Sequence, residues 1–492
     1  MKILLINPPV FNDIGRCKSE SPPLSLLYLA AYLEKHGYAD IKVIDADIEK
    51  ISWPDLKNLF VKEDSDIIGI GGTSIVLPAL IKTAKIAKEA LPKSLVIAGG
   101  FGPTNEPEKV LKISEGTIDF VVLGEGEDTL LELVKWHEGR IKDFRSINGL
   151  AFLQDGKPIL TERREYIKDL DSIPWPAFHL LTSDFSKYPG QPIAKSHYEI
   201  KKPIITILAS RGCPHRCTFC SLGSKLHRAR NPKDIVDEIE HYKNKFGVKS
   251  VAFYDDEFVG MTPKQNEWVK DICNEIIERK LDLNFLTQGR CSPYIELETL
   301  KKMKEAGFAW IWWGVESGSQ RILDEVIYKD IKLENVYKDL DLAKQAGLKS
   351  LMFIMVGFPK ETPADIKMSM DLIKKIKPEE VSIHITCPYP GSKLRKYLED
   401  HNLVDNKLEN LEDYYKLAPA GRYVNFHTEE LTAAEIEKYY KLFVFKFGHS
   451  FSRSIKFGIK SLATLNGWKK LPKRIKILIN LFFSRLEISR SK

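Results

Sequence analysis

The sequence predicts an α/β protein in three parts: a doubly wound parallel sheet, a second series of β/α repeats, and a basic helical tail. Short apolar runs alternate with helical patterns from the amino terminus to about residue 425, which is typical of parallel sheets. Glycine and polar residues follow most of the apolar runs, and parallel sheets bind ligands at that end of their strands. The chain has 492 residues, enough for two or three domains.

Residues 1–140 are predicted to form the doubly wound sheet. Its predicted strands are Lys2 to Asn7, Ile41 to Ile44, Asp66 to Gly71, Leu95 to Ala98 and Phe120 to Leu123. Its predicted helices are Leu24 to His36, Pro78 to Leu91 and Asp128 to Trp136. Three Gly-rich loops follow strands, namely Gly71-Gly72-Thr73-Ser74, Gly99-Gly100 and Gly124-Glu125-Gly126-Glu127. A flavodoxin-like or plain Rossmann domain would share this pattern, and no G-x-G-x-x-G follows the first strand.

Residues 141–199 are predicted to connect the two sheets. Ile147 to Phe152 and Thr161 to Lys168 predict a small strand pair. The prolines of Asp169 to Pro176 predict an extended strap, because proline fixes the backbone, and Tyr188 to His197 predicts a loop.

Residues 200–425 are predicted to form six further β/α repeats. Their strands are Pro203 to Ser210, Ser250 to Tyr254, Asn284 to Thr287, Ala309 to Val315, Ser350 to Val356 and Val381 to Thr386. Polar or Gly residues follow each strand, and a β/α barrel keeps its chemistry at that end.

Three of the seven cysteines, Cys213, Cys217 and Cys220, lie within eight positions after the first of these strands. Thiolates suit zinc, copper(I) and iron–sulfur clusters. A zinc site would need a fourth ligand, usually from a second cysteine or histidine pair, and none is nearby in sequence. Three thiolates can hold three irons of a 4Fe–4S cluster and leave the fourth iron open to a ligand. A zinc knuckle and incidental cysteines are the alternatives.

The pattern C-x3-C-x-Φ-C, with Phe219 before the third cysteine, resembles the radical S-adenosylmethionine (SAM) superfamily. The resemblance implies a partial (β/α)6 barrel, a 4Fe–4S cluster on the three cysteines, and SAM bound by its amino and carboxylate groups to the open iron. An electron from the cluster, supplied by a donor such as flavodoxin or ferredoxin, would cleave SAM to methionine and a 5′-deoxyadenosyl radical.

The resemblance also implies roles for residues at later strand ends. Gly314 to Gly318 matches the family's G-x-E-S/T-G motif, so Glu316, beside Ser317, would meet the SAM amino group. Asp255 or Asp256 would accept a bond from a ribose hydroxyl, as carboxylates do in nucleotide sites. Arg290 would pair with the SAM carboxylate, and Gly357 and Pro359 would shape a loop around the adenine or the substrate.

The first domain resembles the cobalamin-binding domain that precedes many radical SAM cores. The segments that carry the resemblance are Asn7-Pro8-Pro9, Pro22 to Leu26 and the three Gly-rich loops. The expected contacts with cobalamin are Pro9, Thr73, Ser74, Gly99, Gly100, Gly124, Glu125 and Gly126. The motif D-x-H-x-x-G, whose histidine ligates cobalt in many such domains, is absent from the sequence. Cobalamin is therefore expected to bind without that histidine, and a degenerate, empty domain is the alternative.

Residues 426–492 are predicted to form a basic, amphipathic helical tail. Residues 446–492 contain twelve Lys or Arg and one acid, a net charge of +11, whereas the whole chain carries +7 and the remainder therefore −4. The body of the protein is thus not expected to bind nucleic acid. Basic amphipathic helices often lie on anionic membranes, and an ordinary helix covering the barrel is the alternative.

The cysteines do not form a disulfide framework, and the amino-terminal apolar run is too short for a signal peptide. We expect a reduced cytoplasmic location, with peripheral contact at the inner face of the membrane. The expected activity is C-methylation of an unactivated carbon on a small-molecule or lipid-like substrate. A non-methylating rearrangement, cyclisation or carbon–carbon joining and a non-catalytic sensor remain alternatives. A methylthiotransferase would need three more cluster cysteines in the first domain, where only Cys17 is present.

Overall fold

The computed structural model describes residues 1–14, 21–188, 200–221, 226–417 and 424–448. The first sheet has seven strands in the order β2-β1-β3-β4-β5-β6-β7. They are β1 (Ile3–Asn7), β2 (Ile41–Asp45), β3 (Ile67–Gly71), β4 (Leu95–Gly99), β5 (Phe120–Val122), β6 (Leu150–Gln154) and β7 (Lys157–Leu160). The first five are parallel, as the alternating pattern predicts.

Helices cover both faces of the first sheet. They are α1 (Phe11–Ile14), α2 (Leu24–Lys35), α3 (Trp53–Glu63), α4 (Leu77–Ala90), α5 (Phe101–Asn105), α6 (Pro107–Ile113) and α7 (Glu127–His137). Residues of β1 alternate between two cores, with Leu5 in one and Leu4 in the other, because successive side chains of a strand point to opposite faces. The sequence analysis did not predict α1, α3, α5 and α6.

The connector differs from its prediction at one strand. The second strand of the pair is β7, Lys157–Leu160, and not Thr161 to Lys168. Asp155 and Gly156 both have positive φ, 50° and 73°, and form the two-residue turn that sets this register. Strand β6 pairs antiparallel with β5, so the hairpin extends the first sheet. The strap from Leu170 to Leu180 then packs on α2, where the Ala177 amide donates to the Leu27 carbonyl at 3.1 Å.

The second sheet has six parallel strands in the order β15-β14-β13-β12-β11-β8, with β8 and β15 at its two edges. They are β8 (Ile204–Ile207), β11 (Ser250–Phe253), β12 (Asn284–Gly289), β13 (Phe308–Glu316), β14 (Lys349–Val356) and β15 (Glu380–Ile385). All six predicted strands are present, and this open arrangement is the expected partial barrel.

The helices of the second sheet follow its strands and cover its outer face. They are α8 (Pro232–Phe246), α9 (Pro263–Glu278), α10 (Leu297–Ala306), a π-helix (Ile322–Ile327), α11 (Leu333–Gln345), α12 (Pro363–Ile376), α13 (Lys393–Asp400) and α14 (Ala433–Phe447). A short ribbon of β9 (Ser210–Arg211) and β10 (Arg228–Ala229) lies beside the sheet. Short 3-10 turns occupy Ser74–Val76, Phe144–Ser146, Leu170–Ser172, Phe178–Leu180, Phe185–Lys187 and Leu411–Leu417.

The segment after the barrel returns to the first domain. The turn Leu411–Leu417 packs there, and the Tyr414 hydroxyl donates to Glu106 at 2.7 Å. Helix α14 confirms the helical prediction for Thr432 to Phe447, and it begins with a capping box between Thr432 and Glu435. Residues 449–492, with most of the basic tail, lie outside the described residues. Among the helices described, none has the length and apolar character needed to cross a membrane.

Candidate functional site

The cysteine loop, residues 212–221, begins at β9 and is held from two sides of the barrel. The Thr218 amide donates to the Ile327 carbonyl at 2.9 Å, and the Thr218 hydroxyl donates to the Val326 carbonyl at 2.9 Å. At the other side, the Leu394 amide at the start of α13 donates to the Thr218 carbonyl at 2.8 Å. These bonds fix the loop at the carboxyl end of the barrel strands.

Cys213, Cys217 and Cys220 are all half-buried in this loop. The Cys213 sulfur lies 4.0 Å from a Glu257 oxygen, which is itself 3.9 Å from His215 Nε2. Burial raises the pKa of the Cys213 thiol to about 11, so a thiolate there needs a cationic partner such as iron. Three thiols without a disulfide in one loop fit a cluster with one open iron. Cys273, Cys291 and Cys387 are buried and are not part of this loop, and Cys17 lies outside the described residues.

Glu316 ends β13 in the left-handed region, with φ of 69°, next to a register shift between β13 and β14. Its Oε1 accepts a hydrogen bond from the buried ammonium of Lys329 at 3.0 Å. The Ser317 hydroxyl accepts a bond from the Ser319 amide at 3.2 Å, which shapes the turn after the strand. Glu316 thus lies at the carboxyl end of its barrel strand, as predicted. Its contact with SAM stays a prediction.

Asp255 and Asp256, at the end of β11, both support the start of the cysteine loop. The Ser210 hydroxyl donates to Asp255 at 2.5 Å, and the Gly212 amide donates to Asp256 at 3.0 Å. The Asp255 carboxyl group is fully buried, and among the described residues it forms no direct ion pair. Burial therefore raises its pKa to about 7. Asp256 lines the large cavity described below, whereas Asp255 does not. The geometry therefore favours Asp256 over Asp255 for a ligand contact.

Arg290 follows β12 and is 6% exposed. Among the described residues its Nη2 has no hydrogen-bond partner, although the atom is buried. A buried guanidinium with a free donor is suited to a carboxylate ligand, which agrees with the role predicted for Arg290.

Gly357 and Pro359 lie in the loop after β14, and Glu361 bonds back to the start of this loop. The Glu361 carboxyl group accepts bonds from the Gly357 and Phe358 amides at 2.7 and 3.3 Å. The Phe358 ring lies 6.1 Å from the Phe219 ring, so this loop contacts the cysteine loop.

Sequence reasoning missed three buried charged residues of this region. Glu257 directly follows the pair Asp255-Asp256, and this position at a strand end could have marked it as a candidate site residue. Lys329 lies thirteen positions from Glu316, whereas Glu361 bonds to amides only three and four positions before it. No local pattern distinguishes either residue from a surface charge, although both are buried.

A cavity of about 1320 Å³ lies between the Gly-rich loops of the first domain and the base of the cysteine loop. Its walls include Gly72, Gly100, Gly126, Ser210 and Gly212. It exceeds the roughly 300–1,000 Å³ typical of sites for drug-sized ligands. A Cβ atom added to Gly100 would lie 2.5 Å from the Gly72 carbonyl oxygen, so the loops approach closely only because these residues are glycine. The size and the small residues fit a large planar ring such as a corrin.

Most of the predicted cobalamin contacts line this cavity: Thr73, Gly99, Gly100, Gly124, Glu125 and Gly126. Pro9 and Ser74 are buried next to it and are not among its lining residues. None of the described lining residues is a histidine. The expectation that cobalt is bound without a histidine stays a prediction.

Two family matches cover the two domains. Residues 13–134 match the B12 binding domain, and residues 207–373 match the radical SAM superfamily. A Pyrococcus horikoshii protein named an uncharacterised methyltransferase is 32% identical over 438 residues, which cover 88% of this chain and 90% of that protein. The anaerobic magnesium-protoporphyrin IX monomethyl ester cyclase of Rubrivivax gelatinosus is 29% identical, over 81% of this chain and 70% of its own length.

Two solved structures show the same fold. OxsB, a cobalamin-dependent SAM radical enzyme with aqua-cobalamin and SAM bound, has a TM-score of 0.74 at 19% identity, over 99% of this chain and 71% of its own. TsrM from Kitasatospora setae, a radical SAM methyltransferase with cobalamin and a 4Fe–4S cluster bound, has a TM-score of 0.71 at 15% identity, over 98% of this chain and all of its own. The cofactors of the superfamily are a 4Fe–4S cluster and SAM, and the B12 binding domain adds cobalamin. The chain is a radical SAM enzyme and belongs to the branch of the superfamily that carries a B12 binding domain.

Proposed function

We propose that this enzyme methylates an unactivated carbon of its substrate by radical chemistry. The observation that carries the proposal is the single cavity that reaches from the Gly-rich loops of the first domain to Arg211 and Gly212, directly before Cys213. A substrate in this cavity would lie between the source of the methyl group and the source of the radical. The relative from Pyrococcus horikoshii, named a methyltransferase, supports this reading.

Cobalamin would supply the methyl group, and the cluster would supply the electron that cleaves SAM. The chain's own residues would bind and orient the cluster and SAM. Cys213, Cys217 and Cys220 would hold the cluster, and the unpaired Nη2 of Arg290 would bind the SAM carboxylate. Glu316 would hold the SAM ammonium, with Lys329 fixing its carboxylate at 3.0 Å. The buried side chains around these groups exclude water, which protects a radical from side reactions.

A second outcome, ring formation without methylation, is favoured by one observation. The relative from Rubrivivax gelatinosus is named a cyclase, and it covers both domains at 29% identity. The two outcomes share the cleavage of SAM and differ in the product.

Two proposals concern partners. A flavodoxin or ferredoxin would reduce the cluster in the cytoplasm. The charge of +11 on residues 446–492 supports peripheral contact with anionic membranes and, with it, a lipid-like substrate.

The test begins with the purified protein, reconstituted anaerobically with iron, sulfide and cobalamin. With SAM and a reductant, we expect 5′-deoxyadenosine, which a non-catalytic sensor would not release. Cells with and without the protein are then grown on methionine with a trideuterated methyl group, and their lipids and pigments are compared by mass spectrometry. A compound that is three mass units heavier only in cells with the protein supports methylation. A protein-dependent compound without the label would identify the ring-forming alternative instead.

A further inference from the structure

Four charged side chains join the first domain to the base of the cysteine loop. We call Glu125, Glu127, Arg211 and Arg228 the interdomain clamp. Arg228 donates to both oxygens of Glu125, with Nη1 at 2.9 Å and Nη2 at 2.8 Å. Arg211 Nη2 lies 2.8 Å from Glu127, and its Nη1 lies 3.6 Å from Glu125. Their side chains are between 5% and 17% exposed, so all four charges are largely removed from water.

The two arginines mark the two ends of the loop that carries the cysteines. Arg211 in β9 and Arg228 in β10 are directly paired in the antiparallel ribbon. The segment between them therefore leaves and re-enters the fold at this ribbon. Arg211 comes two residues before Cys213, and the guanidinium lies over the Tyr28 ring at 5.0 Å. Movement of this ribbon would carry the cysteine loop with it.

The two glutamates belong to the Gly-rich loop after β5, Gly124 to Glu127, which lines the large cavity. Glu125 also accepts a bond from the Ile167 amide at 3.0 Å, while Arg228 donates to the Ile167 carbonyl at 2.6 Å. Burial opposes the charged form of Glu125, yet the bonds from Arg228 and the charge of Arg211 hold its pKa below the ordinary value. Both carboxylate oxygens are therefore already bound within the protein.

We propose that the interdomain clamp positions the cobalamin-binding loop against the cysteine loop, and that Glu125 serves this purpose and not corrin binding. The inference rests on the proposed function, because the clamp matters to the reaction only if both cofactors act on one substrate. Bidentate arginine–carboxylate pairs suit the role, since they fix orientation as well as distance. A displacement of about 1 Å between reacting groups is enough to slow a reaction by roughly 100-fold.

The test measures the magnetic interaction between cob(II)alamin and the reduced cluster in the full-length enzyme. We expect the double variant Glu125→Gln/Glu127→Gln to keep its cobalamin, iron and SAM cleavage, but to show a weakened or broadened interaction between the two paramagnetic centres. Glutamine keeps the side-chain shape and removes the charges. The matched control is Glu132→Gln, which breaks the pair with Arg164 on the wall of the same cavity without touching the ribbon. The control should leave the interaction unchanged.

Two results would overturn the proposal. An unchanged interaction in the double variant would show that the clamp does not set the geometry, and loss of cobalamin affinity with unchanged geometry would show that Glu125 contacts the corrin. If the double variant does not fold, Arg211→Lys and Arg228→Lys decide in the same way, because lysine keeps the charge and loses the bidentate geometry. Failure of the proposed function is recognised separately, since the unmodified enzyme would then form no product that carries the labelled methyl group.

Discussion

Cys213, Cys217 and Cys220 are the three expected cluster ligands, and all three lie in one loop. Among the described residues, the other cysteines are Cys273, Cys291 and Cys387, which are buried and are not part of this loop. We therefore expect Cys213→Ala, Cys217→Ala and Cys220→Ala each to abolish the cluster absorbance and the formation of 5′-deoxyadenosine together. The matched control is Cys273→Ala, which removes a buried thiol in α9 and should leave both signals intact. SAM cleavage that persists in any single loop variant would show that the cluster has other ligands.

At this scale, the sequence indicated which residues end the strands but not what they contact. The cysteines and Glu316 could be predicted because their motifs are local. The pair of Lys329 with Glu316 joins residues thirteen positions apart through a π-helix and a left-handed turn, which no periodicity reveals. Glu125 was predicted to contact cobalamin, and its bonds to Arg228 span 103 positions. Pairs of this kind follow from the fold and not from local preference.

The loop after β4 depends on a glycine for two separate reasons. Gly100 has φ of 94°, and a Cβ there would lie 2.5 Å from the Gly72 carbonyl oxygen. Gly116 has a similar φ of 80°, but a Cβ there would meet nothing within 4 Å. We expect Gly116→Ala to cost on the order of 1 kcal/mol of stability from the backbone strain alone. Gly100→Ala should cost more and also weaken cobalamin binding, because the two loops must separate.

The measurement is cobalamin binding by absorbance, together with thermal unfolding, for both variants. Equal losses in the two variants would mean that the strained backbone, and not the close approach of the loops, accounts for the effect.

The loop after β14 carries a buried acid whose charge should make stability depend on pH. Burial raises the pKa of Glu361 to about 8, although the amides of Gly357 and Phe358 partly oppose this. The folded state therefore binds a proton that the unfolded state releases near its ordinary pKa of 4.5. Stability should fall as the pH rises between these two values, because the folded state then binds more protons than the unfolded state.

Glu361→Gln removes this dependence, since glutamine is neutral and still accepts from the two amides. We expect the variant to gain stability relative to the unmodified protein as the pH rises from 5.5 to 8.5, measured by urea unfolding. Asp371→Asn is the control, because this carboxylate is exposed on the same segment of chain, in α12, and should not show such a gain. A constant difference between Glu361→Gln and the unmodified protein across this range would contradict the expected shift.

At the scale of elements, periodicity located the parallel strands well. All six barrel strands and the five parallel strands of the first sheet were predicted within one or two residues for most of their ends. The predicted position of the hairpin's second strand is wrong for two reasons. Its register is set by the turn at Asp155 and Gly156, and β7 has only four residues and is largely exposed, so it shows no alternation of buried and exposed residues. The carboxyl ends of parallel strands meet at one edge, which explains why the site could be located before its contacts were known.

The net charge of the protein is distributed unevenly, since residues 1–445 carry only −4. Residues 446–492 carry +11, and apolar residues such as Phe451, Ile455 and Leu478 recur through the same stretch. A helix that only covered the barrel would need few cations. Each Lys or Arg near an anionic membrane contributes about 1 kcal/mol, and the effect fades within a Debye length of about 10 Å at 0.1 M salt. We propose on this basis that the tail holds the enzyme on anionic membranes.

The prediction is that the full-length protein co-sediments with anionic vesicles at low salt and binds neutral vesicles weakly. A protein that ends after Gly448 keeps α14, whose capping box and buried Ile436 and Phe443 belong to the described fold, and it should remain in the supernatant. Binding of the full-length protein should decrease as salt is added, because screening weakens each contact with the lipid surface. Equal sedimentation of the two proteins would remove the membrane proposal. The lipid-like substrate would then lose its support as well, whereas radical methylation would not, since it rests on the cavity between the Gly-rich loops and the cysteine loop.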